Sequence, residues 1–123
     1  LEDAMTDRST SSGAPGALAP SAVTSLTSAV EIGPDAVVSR TLARSAGGNV
    51  TVFAVDAGQE LAEQSAPFDA MVHLLVGKLV VVIGGTDYEL DPGEVIIMPA
   101  DVPHVVRAPE QAKWMLVMLK GES

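Results

Sequence analysis

No cysteine occurs among the 123 residues, which removes disulfides, thiolate metal sites and cysteine nucleophiles together. Aromatic residues make up only 3%, so any core is built from Val, Leu, Ile, Ala and Met. Cations are scarce: 7 Lys and Arg stand against 16 Asp and Glu, a formal net charge of −9. That sign repels nucleic acid and anionic membrane alike, and neither is expected as a partner. No apolar run approaches the roughly 20 residues that a membrane-spanning helix requires. The first residues carry neither the basic patch nor the apolar stretch of a signal peptide. A cytoplasmic location is the expectation from these absences.

What the sequence does hold is 47% apolar residues in a length that suits one domain. A domain this small buries a modest fraction of its surface, so association with a second copy is expected to help it. LEDAM reads as a tag remnant ahead of Met5. Residues 1–28 as a whole are rich in Ser, Thr, Ala, Gly and Pro and read as a flexible arm, because so few large apolar side chains cannot offset the entropy of ordering. The folded domain is expected over 29–123.

The domain's signals are those of strands. AVVSRTLA (36–43) and VTVFAVD (50–56) are rich in β-branched residues, with Gly47, Gly48 and Asn49 marking the gap between them. MVHLLV and LVVVI are apolar runs on either side of Gly77 and Lys78. Gly84 and Gly85 predict a tight hairpin turn into TDYEL, and Asp91, Pro92 and Gly93 predict another turn. EVIIM, HVVRA and KWMLVML complete the set. The stretch before MVHLLV reads as a polar loop, and no segment carries a helical period of useful length. Many short strands closely spaced imply an all-β sandwich or barrel.

Two frames within these strands are informative. Gly58 and Gly77 bracket a stretch with Gln64, Ala66 and Ala70 at fixed places, and GEVIIMPADVPHVVRA holds Gly93, Pro99 and His104 at equally fixed ones. In this order they resemble the paired motifs of the small single-domain cupins. The resemblance implies a jelly-roll β-barrel. It also implies a metal site whose four ligand positions, carried across one by one, are Gln64, Ala66, Ala70 and His104. Two further positions depart from the family pattern: Asp101 stands where it has Gly, and Ala108 where it has Asn.

Alanine has no lone pair to offer, and a neutral amide is a weak ligand without carboxylates beside it. No resident metal is therefore expected, and a divalent ion on His104 and Gln64, with Glu63 as an added carboxylate, is the competing reading. With its ligands replaced, the barrel interior is expected to be a pocket walled by His104, Gln64, Ala66, Ala70, Val72, Leu74, Met98 and Val106. His73 faces away from it, because side chains alternate along a strand and Val72 shares the parity of the ligand positions. Asp101 reads as a turn-capping residue or as a group that orients His104. Trp114 reads as a pocket wall or a plug at one barrel end, and the methionines as core fillers rather than soft-metal ligands. An acid–base set of His104 with Asp101 or Asp69 and Tyr88 is conceivable by analogy with metal-free sugar epimerases of the superfamily, although Tyr88 has no evident route to His104. The leading expectation is a metal-free cupin that binds a small, largely apolar molecule as an accessory or sensory module. The alternatives are a metal-dependent dioxygenase or isomerase and a purely structural homodimer. A homodimer is expected in any of these cases, through exposed apolar edge strands such as AVVSRTLA.

Overall fold

Runs of Val, Ile and Leu interrupted by Gly and Pro form nine strands in the computed structural model, which describes residues 16–120. They are β1 (Val37–Ser45), β2 (Gly48–Val55), β3 (Glu60–Gln64), β4 (Asp69–Val76), β5 (Leu79–Ile83), β6 (Thr86–Leu90), β7 (Val95–Met98), β8 (His104–Arg107) and β9 (Ala112–Leu119). All pair antiparallel. One sheet has the order β1-β2-β9-β4-β7 and the other β3-β8-β5-β6. The two sheets face each other as a jelly roll, and the chain crosses between them after β2, β3, β4, β6, β7 and β8. Among the described residues no helix is long and apolar enough to cross a membrane.

The stretch expected to be a loop before β4 contains β3, which pairs with β8 from Glu60–Arg107 to Gln64–His104. Its side chains are mostly exposed and do not alternate, so the sequence shows no strand period there. At the other turns the local chemistry acts as expected. Gly84 and Gly85 have φ of 55° and 88°, the two positive values a type I′ hairpin turn needs. Gly77 marks a close crossing: a Cβ there would run into the carbonyl oxygen of Gln111.

Alternation along the strands sorts the side chains into two clusters. Val55, Val72, Leu74, Leu79, Val81 and Trp114 are among those that fill the space between the sheets, each at most 1% exposed. Full burial of such aliphatic groups contributes about 1.5–3 kcal/mol each before the entropy of ordering is counted. The second cluster lies on the outer face of the five-stranded sheet. There Leu18, Leu26, Ala29, Val30 and Ile32 pack on Val38, Leu42, Val50, Val52 and Ala54.

Polar contacts fix this covering segment. Leu18 N–H donates to Leu42 O (2.9 Å), Arg40 donates through Nε to Gly16 O (2.7 Å) and through Nη1 to Ala29 O (3.0 Å), and Lys113 Nζ donates to Thr27 O (2.6 Å). The boundary expected at Ser28 therefore falls inside a segment that packs on the sheet. Residues 1–15, with the tag remnant, lie outside the described residues, as do 121–123.

Candidate functional site

Strand register divides the barrel interior into two ends. Gln64, Asp69, Met98, His104 and Leu119 mark one end. Glu60, Val76, Val95, Arg107 and Ala112 mark the other. Along β4 the inward residues run Ala70, Val72, Leu74 from the first end to the second. Where the side chains are small, a cavity of about 150 Å³ remains.

Six of the residues expected around a pocket line this cavity: Gln64, Ala66, Ala70, Met98, His104 and Val106. The four positions of the family's metal site thus converge on one space, brought there by β3, the following loop, β4 and the start of β8. The expectation is corrected for Val72 and Leu74. They share the inward parity, but both are 0% exposed and lie in the packed core behind the cavity rather than on its wall.

The sequence reading missed most of the opposite wall. Phe53, Leu116 and Met118 come from β2 and β9, while Leu61, Ala62 and Phe68 come from β3 and the loop after it. Trp114 lines the cavity as well and is 1% exposed. It pairs in register with Phe53, and the two rings stack with centroids 4.2 Å apart at an interplanar angle of 8°. Lys120 Nζ lies 5.5 Å from the centroid of Phe68, a cation–π contact beside the cavity. The signal that finds this wall is parity: Trp114, Leu116 and Met118 alternate along β9 as Ala70, Val72 and Leu74 do along β4.

Among the described residues two buried side-chain polar atoms have no hydrogen-bond partner, His104 Nδ1 and Trp114 Nε1. Both belong to residues on the cavity wall. Buried polar groups are nearly always hydrogen-bonded, so two orphans on residues of one cavity wall draw attention to it as a place for something else to bind. Asp101 does not orient His104. Its own φ is 64°, a left-handed conformation that Asp tolerates and that explains a preference for Gly at this turn position. Its backbone N–H donates to Ala66 O (2.7 Å), tying the turn before β8 to the loop before β4.

No Asp, Glu, Lys or Arg lines the cavity. Glu63 is exposed and lies off the wall, as does Tyr88, which is 43% exposed on the edge strand β6. Asp69 is exposed and accepts a hydrogen bond from Ala100 N–H at 2.8 Å. Among the described residues no three of His, Cys, Asp and Glu come together as a metal-binding group. His73 takes the outward side of β4, opposite Ala70 and Val72. Met98 and Met118 reach the cavity, whereas Met115 belongs with the outer cluster.

The comparisons with known proteins agree with this architecture. A conserved Streptococcus pyogenes protein of unknown function is 38% identical and superimposes with a TM-score of 0.80, the match covering 86% of this chain and 93% of that one. A cupin 2 conserved barrel domain protein from Leptotrichia buccalis is 29% identical over 77% of this chain and 46% of its own, with a TM-score of 0.75. A cupin superfamily protein from Desulfitobacterium hafniense shares the fold at 23% identity, with a TM-score of 0.79 over 85% of this chain and 95% of that one. No protein of curated function matches the chain. The cupin domain family matches residues 51–118, more than half the chain and the span that carries both glycine-bracketed frames, and the chain belongs to that family.

Proposed function

We propose that this cupin binds a small, largely apolar molecule in its barrel cavity, without a resident metal, and acts as an accessory or sensory module. The observation that carries the reading is a cavity of about 150 Å³ at the positions that the resemblance assigns to ligands, walled mostly by apolar residues, with an unpartnered buried polar atom on each of two wall residues, His104 and Trp114. A purely structural role requires no such space.

The residues present do not fit a tightly held transition metal. Of the four family positions only Gln64 and His104 carry a donor, and Gln64 is exposed at the mouth. Full four-ligand zinc sites deliver about 10–16 kcal/mol, or ~3–4 per ligand if shared evenly. The one imidazole then gives affinity on the order of millimolar, and a neutral amide without carboxylates beside it adds little. The chain's own chemistry at this site is shape, apolar contact and two hydrogen-bonding positions. Thermal-shift measurement against a metabolite library is expected to find stabilising neutral compounds. Stoichiometric iron, manganese, nickel or zinc in protein purified without chelator would instead establish the metal-dependent reading, with His104 and Gln64 as ligands.

The same reading takes a second copy of the chain as partner. The edge of β1 is partly occupied by the chain's own Leu18 N–H on Leu42 O. The covering segment occupies the β1–β2 part of the outer sheet face and leaves the β7 part bare, where Val95 and Ile97 are 53% and 46% exposed. Two such bare apolar strands suit each other, because pairing them removes both from water. Sedimentation velocity at micromolar concentration is expected to show a dimer that Ile97→Asp converts to monomer. A wild-type monomer would remove this part of the proposal.

A further inference from the structure

The chemical class of the occupant is written in the wall of the cavity, provided that the receptor reading above holds. Size comes first. A dry apolar cavity of about 150 Å³ accommodates benzene, and the present chamber has that volume. A disaccharide, a nucleotide or a fatty acid is too large.

Charge is the second constraint. Among the described residues no Asp, Glu, Lys or Arg lines the wall, and Lys120 stands outside it against the Phe68 ring, so a carboxylate or ammonium taken fully into the chamber would lose its hydration with no counter-charge inside. The occupant is neutral.

Shape and polarity complete the description. The stacked Phe53–Trp114 pair forms an aromatic wall, and aromatic surfaces favour a flat ring in offset or edge-to-face contact. Indole Nε1–H is a donor only, and it is buried without an acceptor. Neutral imidazole presents one nitrogen as an acceptor, and His104 Nδ1 is buried without a partner. A hydroxyl is the smallest single group that answers both, since its oxygen accepts and its proton donates. We infer that the cavity takes a neutral single-ring phenol, with its hydroxyl directed at Trp114 Nε1 and His104 Nδ1 and its ring against the Phe53–Trp114 wall.

The chain has one tryptophan, so its single indole N–H signal in a ¹H–¹⁵N spectrum reports on this site alone. Phenol, toluene, cyclohexanol and benzoate are titrated into the full chain while that signal is followed. Phenol is expected to bind about tenfold more tightly than toluene, the value of one net hydrogen bond, and to move the indole proton downfield. Cyclohexanol is expected to bind more weakly than phenol, and benzoate not at all. Two variants, His104→Leu and Trp114→Phe, read by calorimetry, are expected to bring the phenol-to-toluene ratio close to one while toluene still binds. Equal binding of toluene and phenol by the wild type, or preference for benzoate or cyclohexanol, overturns the phenol assignment and leaves the receptor reading standing. Absence of binding by all four compounds overturns both. Persistence of the phenol preference in both variants also overturns the assignment.

Discussion

The two ends of the barrel interior are built from the same strands, by the same alternation, and differ in what they can do. Inward residues of β4 grow from Ala70 through Val72 to Leu74, and the space between the sheets closes along that series. At the far end Leu74, Leu79 and Val81 are 0% exposed and pack between the sheets. At the near end the alanines leave a chamber. The difference teaches that strands of one alternation leave a chamber where their inward side chains are small and close it where they are large. The comparison breaks if the packed end is not the source of stability. Leu74→Ala is expected to destabilise the protein by about 2–5 kcal/mol, since a buried leucine loses its transfer energy and leaves a void that its neighbours fill only in part. Denaturant unfolding measures this, with an unchanged slope expected and the midpoint lowered. A loss below ~1 kcal/mol would mean that the two ends are equally loose.

The converse substitution acts on the open end. Ala70 faces the cavity between Met98 and Met118, its register partners on β7 and β9. Ala70→Leu places a larger side chain in free space, so the stability change is expected to stay within about 1–2 kcal/mol in either direction. Binding of toluene-sized compounds is expected to disappear, which calorimetry reads directly. Retained binding in a folded Ala70→Leu protein would place the receptor elsewhere. A smaller effect is expected for His104→Leu in the absence of ligand. Removing a buried nitrogen that has no partner relieves its desolvation penalty, and the empty protein is expected to gain about 1 kcal/mol. A loss of stability on this change would show that the imidazole is satisfied in solution.

How much of this was legible depended on whether the signal was local. Strand period and turn residues are local, and β1, β2 and β4–β9 emerged from them near their observed limits. The spacing of Gln64, Ala66, Ala70 and His104 is also carried by short segments, and all four meet at the cavity. Depth is not local. Val72 and Leu74 have the right parity, but whether an inward side chain borders a cavity or lies behind it depends on what the opposite sheet sends across. Phe53 and Trp114 come from strands distant in sequence, and only their register on β2 and β9 brings the rings together. β3 stayed hidden because an exposed edge strand needs no apolar period. The segment from 16 to 28 is made mostly of small residues, yet Leu18 and Leu26, with Ala29, Val30 and Ile32 after them, dock it once the sheet offers an apolar outer face. Composition sees the segment and cannot see the face.

The loops at the two ends are held differently as well, and acid separates them. At the packed end Asp56 accepts hydrogen bonds from Asp35 N–H (2.7 Å), Gln111 Nε2–H (3.1 Å) and Ala57 N–H (2.8 Å), joining the turns before β1, after β2 and before β9. These donors, the Asp35 backbone N–H foremost, hold its carboxyl below the ordinary value of 3.8. A group whose pKa is lower in the folded state favours folding when ionised. The contribution is complete above the unfolded value and is lost as pH falls through the lowered folded one. Stability is therefore expected to decline on acidification below 3.8, and part of that decline should vanish in Asp56→Asn, whose side chain does not ionise. Urea unfolding of the two proteins across pH 2 to 6 makes the comparison, at moderate constant salt because the half-buried side chain is still open to screening. Superimposable acid limbs would show that the clasp contributes nothing through its charge. The packed end would then owe its closure to Leu74, Leu79 and Val81 alone.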